Sequence, residues 1–153
     1  MTKQLSRIIA TVCYVGYCPI APGTAGSVVA LLLYLVIGEN LLLFTGVLAL
    51  SLIIGFIATD KALGTFRRKD PPQIVVDEVC GMLIALFLLP KTLPIILLAF
   101  FLFRAFDTLK PFPIAQLERL PGSSGVMLDD IASGIYTNVV IQLALKLAAL
   151  STS

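Results

Sequence analysis

Five carboxylates stand at the edges of apolar runs in this chain of 153 residues. Asp77 and Glu78 are adjacent within DPPQIVVDEVCGM, residues 70–82, and an apolar run from Val79 to Leu89 follows at once. Asp is a favoured helix N-cap and Pro is tolerated in the first turn, so Asp70-Pro71 predicts a helix start. With that start, Ile74, Asp77, Glu78 and Gly81 share one helix face. Asp107 falls within Phe103-Arg104-Ala105-Phe106-Asp107-Thr108-Leu109-Lys110, where Arg104, Asp107 and Lys110 are spaced by three and line one stripe. Asp129 and Asp130 form a second adjacent pair, just before the last apolar run.

Each cluster also has a plainer reading. Acids near a helix N-terminus answer its dipole. The Arg104–Asp107–Lys110 stripe is a surface ion-pair ladder worth a few tenths of a kcal/mol. Asp129 is the N-cap of the last helix. A fourth cluster, Pro22-Gly23-Thr24-Ala25-Gly26-Ser27, leads into a helix. It is either an ordinary turn capped by Thr24 or Ser27, or a phosphate cradle made of backbone N–H groups that glycine leaves approachable. No Gly-Lys-Ser/Thr follows, so it is not a nucleotide-binding P-loop.

Composition narrows the chemistry. The chain contains no histidine. That removes imidazole acid–base catalysis, phosphohistidine and histidine-bound metals. A metal here must be held by oxygen, which selects Mg²⁺, Mn²⁺ or Ca²⁺ over Zn²⁺. Five carboxylates with Arg and Lys nearby point to Mg²⁺ together with a phosphate ester. The thiols do not offer an alternative: Cys13, Cys18 and Cys80 have no Arg six residues on, as a cysteine phosphatase requires, and they show no pairing pattern. Asp-x-Asp, the signature of haloacid-dehalogenase-type phosphatases, is absent, and so is the acidic pattern of CDP-alcohol phosphotransferases.

The elements that must position these groups are apolar. Hydrophobic residues make up 58% of the chain and charged ones 13%, with a mean hydropathy of +1.01. A soluble domain is about 25% charged, so the composition is that of an integral membrane protein. A net charge of +2 leaves no general basic patch for nucleic acid. The length allows one domain, residues 1–153. Gly16–Ser27 reads as irregular, and apolar runs follow at 28–37, 41–58, 79–89, 93–103 and 131–150. Some fall short of the ~20 residues that span a bilayer, so their polar flanks are expected to continue the same helices, as in Pro71–Leu89 and Pro94–Lys110. The expected fold is all-α and multi-pass, with about five hydrophobic helices and the N-terminal stretch as an interfacial sixth.

With the N-terminus inside, segments 1–27, 59–78 and 104–130 lie on one side of the membrane. All Lys and Arg except Lys91 and Lys146 fall there, as do all acids except Glu39. The positive-inside rule makes that side cytoplasmic, including the loop Arg67–Lys69. The polar motifs therefore gather at a cytoplasmic membrane surface. The rival reading is a small membrane cation-binding or transport protein. It is disfavoured because the acids sit at one membrane edge and no inverted repeat is present.

These residues resemble the phosphatidylglycerophosphatase A family in four motifs, in order. Pro19, Pro22, Gly23, Thr24, Gly26 and Ser27 match the first; Ile74, Val75, Asp77, Glu78, Gly81 and Met82 the second. Phe103, Arg104, Asp107, Lys110, Pro111, Pro113 and Ile114 match the third; Gly125, Met127, Asp129, Asp130 and Gly134 the fourth. The resemblance implies a Mg²⁺-dependent phosphatase of the bacterial inner membrane. It would convert phosphatidylglycerophosphate of the cytoplasmic leaflet to phosphatidylglycerol. Under it, Asp77, Glu78, Asp129 and Asp130 are expected to hold one or two Mg²⁺. Asp107 would complete the metal site or act as base, Arg104 and Lys110 would neutralise phosphoryl oxygens, and Gly23, Thr24, Gly26 and Ser27 would bind the phosphate.

Overall fold

The computed structural model describes residues 1–66 and 71–151, and its regular structure there is helical. Helix α1, Lys3–Ala10, is capped by Thr2, whose Oγ1 accepts the Leu5 N–H. A 3₁₀ turn at Val15–Tyr17 leads to α2, Pro22–Ile37. Then follow α3 (Leu41–Phe66), α4 (Val76–Ala85), α5 (Leu93–Leu109), the single turn α6 (Ile114–Leu117) and α7 (Ser123–Ser151). Helices α2, α3, α4, α5 and α7 account for the five expected apolar runs. Of these, α3 and α7 are long and apolar enough to cross a bilayer.

Helix α4 is the axis of the fold. It packs against α2, α3, α5 and α7, and all but two of its residues are buried. At ~1.5 Å per residue its ten residues make about 15 Å, half of a bilayer core of ~30 Å. The expected helix from Pro71 is therefore corrected: α4 starts at Val76. Pro72 disfavours helical geometry at Pro71. Residues 71–74 instead form a turn closed by Ile74 N–H on Pro71 O, and Val75 N–H goes not to a helical partner of its own segment but to Ala10 O, at the end of α1, at 2.9 Å. Ile74 thus precedes the helix that carries Asp77, Glu78 and Gly81. The proposed cap Asp70 and the basic run Arg67–Lys69 lie outside the described residues.

Three other boundaries differ from expectation. Pro22–Ser27 is not irregular but forms the first turns of α2, because Pro22 at N1 has the helical φ already and lacks the N–H that a helix start cannot use. Helix α3 carries on through the polar residues 59–66. Helix α7 begins at Ser123, eight residues before its apolar run, so Asp129 and Asp130 are inside the helix. The N-cap reading of Asp129 falls with that.

Glycines set the closest contacts. A Cβ on Gly81 would stand 2.5 Å from the Asp130 carbonyl oxygen, and one on Gly134 would stand 2.2 Å from the Gly81 carbonyl oxygen. The backbones of α4 and α7 therefore touch, as small residues permit. Asn138 fastens the same pair of helices further along. Its Nδ2 donates to Ala85 O and Phe87 O at 3.1 and 2.7 Å, satisfying carbonyls at the end of α4. At α2's C-terminus, Lys91 does the same for Tyr34 O and Gly38 O. The outer faces are apolar: Val36 and Leu42 are 84% and 85% exposed, and Leu32, Ile53, Phe101 and Leu147 are exposed too.

Candidate active site

The acids meet where α2 and α4 begin and α5 ends. Asp77 and Glu78 occupy the first turn of α4, and Asp77 Oδ1 accepts the Glu78 N–H at 3.1 Å. Because Gly81 and Gly134 let α7 come close, Asp130 faces this turn. Ligand atoms of Asp77, Glu78 and Asp130 all lie within 4.8 Å of one another. Asp77 and Asp130 are 6% and 4% exposed. The wall opposite is the start of α2, where a Cβ on Gly23 would stand 2.2 Å from Glu78 Oε1. Glycine here makes room for that carboxylate, which rests at the positive end of the α2 dipole.

Basic groups close the ring. Arg104 Nη1 lies 2.8 Å from Asp107 Oδ2, one helix turn on in α5. That nitrogen makes no well-aligned hydrogen bond, so the contact is one of charge. Lys110 follows α5 in a left-handed conformation, φ 44°, which turns it toward α7. Its Nζ donates to Asp129 Oδ2 at 2.9 Å and pairs with Glu118 Oε1 at 2.9 Å. Burial works against the Lys110 ammonium, but these two carboxylates outweigh it and raise its pKa above the ordinary lysine value. The groups enclose a cleft of about 280 Å³ lined by Gly23, Asp77, Glu78, Arg104, Asp107, Lys110, Asp129 and Asp130, among others.

This cleft fits a hard cation. Glu78 Oε2, Asp130 Oδ1 and Asp129 Oδ1 are buried without a hydrogen-bond partner among the described residues, a costly condition for carboxylate oxygens. Three carboxylates this close repel one another unless a cation or a retained proton intervenes. Oxygens on opposite sides of Mg²⁺ or Ca²⁺ stand about 4–5 Å apart, matching the cluster's spacing.

Most of the sequence-predicted site residues converge here: Asp77, Glu78, Arg104, Asp107, Lys110, Asp129, Asp130 and Gly23. Asp129 stands beside the three-carboxylate cluster, with one oxygen on Lys110. Thr24, Gly26 and Ser27 do not line the cleft. Ser27 is buried and its hydroxyl donates to Gly23 O at 3.0 Å within the helix. Gly26 is needed for packing, since a Cβ there would stand 2.9 Å from Val75 O. Nothing in the sequence marks Glu118, the second partner of Lys110, because no spacing links it to residue 110.

Fold and cleft together define the class: a helical protein with an acidic, cation-compatible cleft bordered on one side by Arg104 and Lys110, suited to phosphate esters. The chain belongs to the phosphatidylglycerophosphatase A family, whose model matches residues 8–145, and it is a phosphatase. A protein of Haemophilus influenzae named phosphatidylglycerophosphatase A is 38% identical over 128 residues, 79% of this chain and 77% of that one. Its namesake in Escherichia coli is 35% identical over 125 residues, 80% and 73% of the two chains. A Bacteroides thetaiotaomicron protein, provisionally named a phosphatidylinositol-3-phosphatase, is 36% identical over 138 residues, 84% and 86%. No solved structure matches the chain significantly.

Proposed function

We propose that this single-domain protein is a Mg²⁺-assisted lipid phosphatase. It hydrolyses phosphatidylglycerophosphate to phosphatidylglycerol and phosphate, a step of phospholipid biosynthesis. It works in the bacterial inner membrane as a multi-pass protein with the cleft toward the cytoplasm. The observation that carries this reading is the Asp77–Glu78–Asp130 cluster, with its unpartnered buried oxygens, facing Arg104 in a chain of this family. Two helices able to span a bilayer and the apolar outer faces support the membrane setting.

Asp77, Glu78 and Asp130 would hold the cation, with Asp129 as a further ligand through its unpartnered oxygen. Bound there, the cation supplies charge to a phosphoryl group and lowers the pKa of water. Arg104 orients the phosphoryl oxygens from the α5 side. Asp107, 2.8 Å from Arg104, fixes that guanidinium and lies within the cleft to accept a proton. Lys110 holds Asp129 in place and adds positive charge at the rim. Gly23 leaves room at the N-terminus of α2, the positive end of a helix dipole, for both Glu78 and an incoming phosphate.

The test is phosphate release from phosphatidylglycerophosphate by the purified chain in detergent, with Mg²⁺ and with EDTA. The reading requires release that EDTA abolishes and Mg²⁺ restores. Release unaffected by EDTA would remove the metal role, and no release at all would remove the substrate.

A further inference from the structure

A second cavity, of about 340 Å³, adjoins the acidic cleft and shares Pro22 and Pro72 with it as walls. Tyr17 and Gln73 give it polar lining, and Pro22, the first residue of α2, borders both spaces. Arg7 is outside this lining and reaches it through Tyr17. Its Nε donates to Tyr17 Oη at 2.7 Å, and its guanidinium lies 5.3 Å from the centre of the Tyr17 ring and 5.9 Å from that of Phe66. Two rings and one hydrogen bond thus hold a guanidinium that has no carboxylate partner among the described residues. A held guanidinium presenting its remaining N–H groups suits two-point recognition of a phosphate.

We propose that Arg7, positioned by Tyr17 at the edge of this cavity, forms a second anion subsite that binds the phosphodiester of a lipid whose phosphomonoester lies in the acidic cleft. The inference deepens the phosphatase reading and rests on it for the identity of the substrate. The substrates named for the relatives, a glycerophosphate lipid and an inositol phosphate lipid, share this chemistry: a monoester and a diester on one polyol. A two-cavity site reads both phosphates and leaves the polyol between them. Specificity for lipid over free phosphomonoesters then lies in Arg7 and Tyr17, not in the carboxylates.

The probe is dioctanoyl phosphatidylglycerol, which carries the diester and no monoester. Its binding to the full chain in detergent is read by titration calorimetry, with thermal unfolding as the check on folding. Arg7→Gln is expected to weaken binding about tenfold, the scale of one lost hydrogen-bonded charge. Tyr17→Phe should weaken it less, about threefold by the same arithmetic. Arg7→Lys should recover only part, because an ammonium does not offer the planar fork of a guanidinium. If Arg7→Gln is unstable, Arg7→Met keeps the apolar stem of the side chain and carries the same expectation. For phosphatidylglycerophosphate turnover, KM should rise by more than kcat falls. Binding by Arg7→Gln equal to wild type overturns the subsite. Full recovery in Arg7→Lys also overturns it, since diffuse attraction to anionic lipid would then suffice. These readouts do not need catalysis: a wild-type chain that binds the probe through Arg7 yet releases no phosphate would refute the phosphatase reading alone.

Discussion

Replacing Gly81 by Ala tests whether the contact between α4 and α7 sets the geometry of the acids. The new methyl would stand 2.5 Å from Asp130 O, 2.7 Å from Phe103 Cε2 and 2.9 Å from Asp130 C. Ordinary contact begins near 3.4 Å, so α4 and α7 must separate by about 0.9 Å at this point, from 3.4 − 2.5. Two of the three contacts are backbone and cannot rotate away. Overpacking of this kind costs about 1–3 kcal/mol. The larger effect is positional. Asp77 and Glu78 sit on one side of the crossing and Asp130 on the other, so the separation opens the 4.8 Å cluster directly. A displacement of ~1 Å in a catalytic constellation lowers turnover about 10²-fold. The expected result for Gly81→Ala is that loss, together with a raised Mg²⁺ requirement, at a thermal midpoint lowered by only a few degrees. Gly64→Ala is the control: Gly64 lies in α3 with open space around its Cβ position, and Ala should be neutral or stabilising by up to ~1 kcal/mol. Phosphate release across a Mg²⁺ titration and thermal unfolding in the same detergent supply both numbers. Turnover of Gly81→Ala within twofold of Gly64→Ala would refute the argument.

Asp77→Asn, Glu78→Gln and Asp130→Asn should each lower turnover at least ~10²-fold, since a preorganised charge is lost at little change of shape; near-normal rates in all three would sink the cation site. Asp129→Asn should lower it as well, and because Asp129 lies within α7 the loss cannot be one of capping. Lys110, raised above the ordinary lysine value by Asp129 and Glu118, keeps its charge, so the pair's stabilisation is complete below the unfolded value near 10.4 and is lost only as pH rises beyond it. The pH–rate profile should accordingly show no Lys110 limb between about pH 6 and 9, and an alkaline limb there that moves in Lys110→Arg would contradict this. Asn138→Ala strips donors from Ala85 O and Phe87 O and an acceptor from Gln142; at about 1 kcal/mol for each hydrogen bond to a buried carbonyl, this is measurable as a lower midpoint of unfolding in detergent.

The helical class and the charged residues that would share one site were legible in the residues alone. Long apolar runs with polar breaks favour helices in apolar surroundings, because a helix pairs its backbone groups within one segment. The absence of His confines any metal to oxygen ligands. The motif residues Asp77, Glu78, Arg104, Asp107, Lys110, Asp129 and Asp130 lie at the ends of runs, and they do converge on one cleft. Helix limits were not legible. Pro22–Ser27 and Ser123–Asp130 look like loop by composition, yet both are helical, since a helix terminus stabilised by packing needs little local propensity. The same tertiary contacts removed Thr24, Gly26 and Ser27 from the cleft and gave Gly26 a packing duty. Only the three-dimensional arrangement assigned the glycines their work: Gly81 and Gly134, 53 residues apart in sequence, press two backbones together. Spacing along the chain reports which side chains share a face of one helix, whereas the separation of two helices depends on what stands between them. Where nothing does, as here, acids from α4 and α7 come within reach of one cation.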